Sequence, residues 1–206
     1  MAGLLAQLEP EQRAELLDDL NYLNLRQIRS FCERHTIPYR IIAGARATAD
    51  TDRKPVILHR VRHFLLTGEV LDATRLSAGI VRRDAPPGVL RPSDRLYYRW
   101  YNKTYEPVMQ LLADLTGGRF HNGALARVLI MEYWTSGRAP TFREFAQAWI
   151  AATDGPRDLV SGEYAFLSDL QRGEAGPDWK HKRQQRAQRF LSVMENLERA
   201  AGRGGG

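Results

Sequence analysis

Residues 25–42, LRQIRSFCERHTIPYRII, residues 43–54, AGARATADTDRK, and residues 55–68, PVILHRVRHFLLTG, decide the fold. In the first and third segments apolar residues recur every three or four positions, the period of a helix with one buried face. Leu25, Ile28, Phe31 and Cys32 make one stripe; Ile57, Val61, Phe64 and Leu65 make the other. Asn21 or Asn24 is placed to cap the first helix, expected to run to about His35 before Pro38 ends it. Thr51 or Asp52 is expected to cap the second, with Pro55 in its first turn and Thr67-Gly68 at its end. Between them, residues 39–50 carry turn and loop chemistry around Gly44, with Tyr39–Ile42 briefly extended.

Working outward, Pro10 and its acidic neighbours open a helix that runs to about Leu20, with Leu16, Leu17 and Leu20 on its apolar side. Residues 72–93 hold Gly79, Pro86, Pro87, Gly88 and Pro92 with little periodicity, and read as a linker. A second helical region, 94–201, follows. Ser93 or Asp94 would cap RLYYRWYNK; Pro107 would precede VMQLLADL, stopped by Gly117-Gly118; Asn122 would cap ALARVLIMEYW. Thr141 and Glu144 have capping-box spacing ahead of FREFAQAWIAA. SGEYAFLSDLQ (161–171) reads as a further helix, and a last one runs from about Asp178 to Ala201 before a flexible tail, 202–206. The expected fold is mostly α: an N-terminal region 1–71 with its core at 24–70, the linker, and the helical domain 94–201.

With 43% hydrophobic and 26% charged residues the chain is globular rather than disordered. Cys32 is the single cysteine, so no internal disulfide can form and nothing argues for an oxidising compartment. The start lacks the basic and apolar pattern of a signal peptide, and no window approaches a membrane span. A cytoplasmic location is expected, nucleoid association included. The net charge of +6 is uneven: residues 1–23 sum to −4, 24–70 to +5, 71–178 to zero and 179–206 to +5. Two basic blocks point to a polyanion, since cations that neutralise phosphates release condensed counterions.

Leu25, Ile28 and Phe31-Cys32, the exit Ile37-Pro38, and Lys54-x-x-Ile57-x-x-Arg60-Val61-x-x-Phe64-Leu65-x-Thr67-Gly68 together resemble the SAP module, a helix–extended loop–helix DNA-binding motif. The stretch from Leu96 to Trp149 looks like a helical region that accompanies SAP-like modules in some bacterial proteins of unknown function. That second likeness rests on Tyr101-x-x-Thr104, Gly118-x-Phe120 and Gly137-x-x-x-Thr141 with Trp149. The loop here is longer than in SAP modules, and Asp52-Arg53 stand where a glycine usually precedes the lysine. What the resemblance implies is a DNA contact at Lys54, with Arg53 beside it, and an Arg60 that lies against the core and braces the two helices.

The nucleic-acid candidates are therefore Arg26, Arg29, Arg40, Arg46, Arg53, Lys54 and Arg62, with Lys180, Lys182, Arg183 and Arg186 as a second arm. Cys32, His35, His59 and His63 have the residue types of a zinc site, but the apolar stripes turn His59 and His63 away from Cys32, and no metal or other cofactor is expected. Cys32 on an apolar stripe reads as a small hydrophobe, not a nucleophile. Tyr97, Tyr98, Trp100, Tyr101 and Tyr105 have cations among them and could stack on bases, but read better as core. The pair of helices 123–134 and 141–152 also reads as core rather than as a helix-turn-helix reader. Asp50 and Asp52 are explained by a turn and a helix cap. The expected function is non-enzymatic binding of duplex DNA, in preference to RNA, with low sequence specificity. The alternative is an adaptor whose basic helices meet an acidic protein, with the C-terminal helix available for docking or self-association.

Overall fold

The structure, a computed structural model, describes residues 3–82, 84–102, 104–154 and 177–203. The expected helix at 161–171 lies outside them. Helices dominate the described residues: α1 (Pro10–Asp19), α2 (Leu25–Arg34), α3 (Lys54–Thr67), α4 (Glu106–Leu115), α5 (Ala124–Thr135), α6 (Phe142–Asp154) and α7 (Pro177–Arg203). No described helix is long and apolar enough to cross a membrane. The sheet is small, with strands β1 (Arg40–Ala43), β2 (Arg46–Thr51) and β3 (Arg75–Leu76) in the order β2-β1-β3, and β3 parallel to β1. The described residues form two compact units, one from 3–40, 50–73 and 177–203, the other from the described residues of 41–49 and 74–154.

In the first unit, Asn24 closes a capping box with Gln27: the Gln27 N–H donates to Asn24 Oδ1 at 2.9 Å and the Asn24 N–H to Gln27 Oε1 at 2.8 Å. That fixes where α2 begins and sends Ile28, Phe31 and Cys32 inward. They meet Ile57, Val61 and Leu65 of α3, with Leu5, Leu16, Leu20 and Leu23 from the N-terminal segment. Gly3 permits the close approach of that segment to α3, since a Cβ there would fall 2.3 Å from the Leu66 carbonyl carbon. Gly68, at φ 75°, ends α3.

Three expectations for these segments are corrected. The residues expected as loop form the β1–β2 hairpin, where Gly44 (φ 63°) supplies the left-handed backbone a two-residue turn demands. Neither Thr51 nor Asp52 caps α3; Arg53 occupies the N-cap, and Asp52 is buried against Arg60. The last helix does not belong with residues 94–154: Ala187, Phe190 and Met194 of α7 complete the core of the first unit. Arg186 Nε and Arg189 Nε donate to the two oxygens of the fully buried Asp19 carboxylate, and Arg189 Nη2 adds a third bond at 2.8 Å.

The second unit packs Val108 and Leu112 of α4, Ala126, Ile130 and Trp134 of α5, and Phe142, Phe145, Ala146 and Trp149 of α6 around one core. The capping box expected at α6 is present: the Thr141 N–H donates to Glu144 Oε2 at 2.6 Å and the Glu144 N–H to Thr141 Oγ1 at 3.1 Å. The Thr141 N–H bond holds the Glu144 carboxyl below its ordinary range. Residues 72–93 are not a linker, because Leu76 and Ile80 are buried in this core. Residues 95–102 are not helical. Their backbone is claimed elsewhere: Leu96 N–H by the Pro140 carbonyl at 2.7 Å, Tyr98 N–H by Ile80, and Arg95 by an antiparallel bridge to Thr141. Nor does Asn122 cap α5; its side chain accepts the Tyr101 hydroxyl at 2.9 Å, and Gly123 takes the N-cap.

Asp19→Ala is expected to lower stability by about 1–3 kcal/mol, since it removes the charge-assisted hydrogen bonds of a buried carboxylate while the partly exposed Arg186 and Arg189 keep water as an alternative partner. Chemical denaturation of the two proteins measures the difference.

Candidate nucleic-acid interface

The 3-10 turn Leu20–Tyr22, between α1 and α2, offers three oxygens that collect cations from distant parts of the chain. Lys54 Nζ donates to the Asn21 carbonyl at 2.6 Å, Arg62 Nη2 to Asn21 Oδ1 at 2.5 Å, and Arg183 Nε to the Tyr22 carbonyl at 3.3 Å. The Arg186 guanidinium lies over the Tyr22 ring, 4.2 Å from its centroid. Lys54 is the first residue of α3, where the helix N-terminus already favours anions. Arg62 lies two turns further along the same helix, and Arg183 comes from the second turn of α7. Four positive side chains thus meet at one corner of the first unit. Burial, and then the charge of Arg183, lower the Lys54 amine from its ordinary range to about 8.

The sequence candidates divide between this corner and other positions. Arg26 is exposed in the first turn of α2, four residues beyond Tyr22, and Lys182 is exposed next to Arg183. Arg53, half-buried, is the N-cap of α3. Arg29 donates to Thr51 Oγ1 at 3.0 Å and ties α2 to the end of β2. Arg40 is exposed with its guanidinium 5.8 Å from the Tyr39 ring centroid. Arg46 is exposed at the start of β2, in the part of the hairpin that belongs to the second unit. The side chain of Lys180 lies outside the described residues. Arg186 is engaged by Asp18, at 2.5 Å, and by Asp19, so its charge is partly neutralised within the fold.

Arg60 braces α2 and α3. It is buried, its Nη1 donates to Asp52 Oδ2 at 2.6 Å and to the Pro38 carbonyl at 3.1 Å, and its Nε donates to the Asp72 carbonyl at 2.9 Å. One guanidinium therefore joins the exit of α2, the entry to α3 and the segment after it. Sequence reading did not identify Asn21 and Tyr22 as the oxygens that gather the corner. Nor did it pair Arg186 and Arg189 with Glu15, Asp18 and Asp19. A signal was available in the −4 of residues 1–23 set against the +5 of 179–206.

Cys32 is fully buried, and burial raises its thiol to about 11, with the Arg60 charge opposing. His35 is wedged between the Phe31 and Phe64 rings, with Nε2 2.8 Å from Glu198 Oε1. His59 is exposed, and His63 Nε2 lies 3.6 Å from Glu69. In the second unit Tyr98 is buried, edge-on to Trp134, and Tyr101 is edge-on to both Trp134 and Phe145. Trp100 donates to the Asp84 carbonyl at 3.0 Å, and Tyr105 to the Pro86 carbonyl at 3.3 Å. These rings hold the unit together. Comparison with family models, curated proteins and solved structures finds no match to this chain.

The lowered Lys54 amine gives stability a defined pH dependence. Folding lowers its pKa from 10.5 to about 8, so between these values the unfolded chain binds more protons and the contribution of this group rises with pH. Melting temperatures of wild type and Lys54→Met at pH 7 and pH 10 are expected to show the wild type gaining relative to the variant at the higher pH. A difference independent of pH contradicts the assignment.

Proposed function

We propose that the first unit binds duplex DNA through its phosphates, with little reading of sequence. The observation that carries this is the convergence of Lys54, Arg62 and Arg183 on the oxygens of Asn21 and Tyr22. Burial, and then the charge of Arg183, lower the Lys54 amine, and a phosphate oxygen at the corner would offset the Arg183 repulsion. The exposed Arg26 and Lys182, close in sequence to Tyr22 and Arg183, add to the positive charge of this unit. Guanidinium and ammonium groups of this kind position a protein on a sugar–phosphate backbone and carry little sequence information. Arg60 and Cys32, both buried, keep α2 and α3 in register and take no part in contact. The likeness of residues 24–68 to the SAP module supports the same ligand, with Lys54 common to both arguments.

Fluorescence anisotropy of labelled duplex DNA, single-stranded DNA and RNA across a salt series tests the reading. Duplex affinity is expected to fall steeply with salt, and each of Lys54→Gln and Arg183→Gln to reduce the slope of log K against log salt by about 0.9. Because Lys54 must be charged to meet a phosphate, raising the pH from 7 to 9 should weaken binding roughly tenfold, and Lys54→Met should flatten that dependence. A folded protein with no affinity for any of the three at low salt would overturn the reading and direct attention to an acidic protein partner.

A further inference from the structure

Among 30 lysines and arginines the chain has only four lysines: Lys54, Lys103, Lys180 and Lys182. At the corner described above, three of the four cations are arginines, which stay charged at any physiological pH. Lys54 alone can offer a lone pair. We infer that Lys54 is an acylation site for acyl phosphates, whose phosphate is held by Arg62 and Arg183 while their carbonyl carbon meets the lysine amine. The inference rests on the anion-binding reading of the corner and assigns a regulation to it.

The geometry supplies both requirements. The Asn21 carbonyl takes one N–H of Lys54 at 2.6 Å, which orients the amine. Arg62, on the side-chain oxygen of the same asparagine, and Arg183, on the next carbonyl, flank it with two guanidinium groups suited to a phosphate dianion. An amine titrating at about 8 is roughly a quarter neutral at pH 7.5, against about a thousandth for an ordinary lysine. Its lower basicity weakens it as a nucleophile, which offsets part of that gain.

In the reaction the lone pair of the neutral amine attacks the acyl carbon and an N–C bond forms. The C–O bond to phosphorus breaks, its electron pair leaves with the phosphate, and the amine proton passes to that phosphate. The products are an amide and inorganic hydrogen phosphate. The amide carries no charge, so acylation removes the one titratable cation of the corner and weakens attraction to any polyanion there.

The test incubates the full-length protein with acetyl phosphate at pH 7.5 and follows acetylation of each lysine by peptide mass spectrometry. Lys182, exposed beside Arg183, is the internal reference. Lys54 is expected to react at least about fivefold faster than Lys182, given its larger neutral fraction. With the acetyl ester of N-hydroxysuccinimide, a donor without phosphate, the ratio should fall. Arg62→Gln/Arg183→Gln should bring the ratio obtained with acetyl phosphate toward one. Equal rates at Lys54 and Lys182 in the wild type overturn the proposal, as does a ratio that is the same for both donors. Either result in a protein that still binds DNA with a steep salt slope refutes the acylation alone. Absence of DNA binding refutes the reading on which it rests.

Discussion

The buried carboxylate of Asp19 is the constraint on which the first unit depends. It closes α1, has no exposure to solvent, and takes hydrogen bonds from Arg186 and Arg189 of the last helix. A charge removed from water in this way is tolerable only with its partners in place, so the site favours folds in which α7 lies along α1. Once α7 is there, Phe190 and Met194 enter the core beside Phe31, and Arg183 is brought to the Tyr22 carbonyl. Packing and candidate interface thus follow from the same docking event.

A second buried pair, Arg60 with Asp52, does the equivalent work at the entry to α3. Its bonds to the Pro38 and Asp72 carbonyls close the point where the chain leaves for the β1–β2 hairpin and the point where it departs after α3. The excursion of residues 41–49 can therefore belong to the second unit while α2 and α3 remain packed on each other. Arg60, Arg186 and Arg189 reach carboxylates, whereas Lys54, Arg62 and Arg183 reach the carbonyl and amide oxygens of Asn21 and Tyr22.

Helical periodicity and punctuation made much of the architecture legible in advance. Pro10, Asn24, Gly68, Gly117 and the Thr141–Glu144 box mark helix ends where local chemistry decides them. The reading failed where backbone groups found partners far along the chain. RLYYRWYNK has a helical pattern, yet the Leu96 and Tyr98 N–H groups are taken by Pro140 and Ile80. The glycines and prolines of 72–93 suggested a linker, but Leu76 and Ile80 between them have a core to enter. Asp52 looked like a cap because caps are local, while its actual partner, Arg60, sits eight residues on.

The candidate site shows the same division. By itself the sequence determined that this chain is mostly helical, that α2 and α3 present apolar stripes to a core, that Cys32 lies on one of them, and that positive charge concentrates in 24–70 and 179–206. These are properties of composition and of short-range period, set within a few residues. Only the tertiary structure decided which cations meet and which are committed to the fold. Arg29, Arg60 and Arg186 serve the scaffold, whereas Lys54, Arg62 and Arg183 gather at Asn21 and Tyr22. The reason is physical: a cation's role depends on the oxygen it reaches, and for Arg183 and Arg186 that oxygen lies more than 160 residues away along the chain.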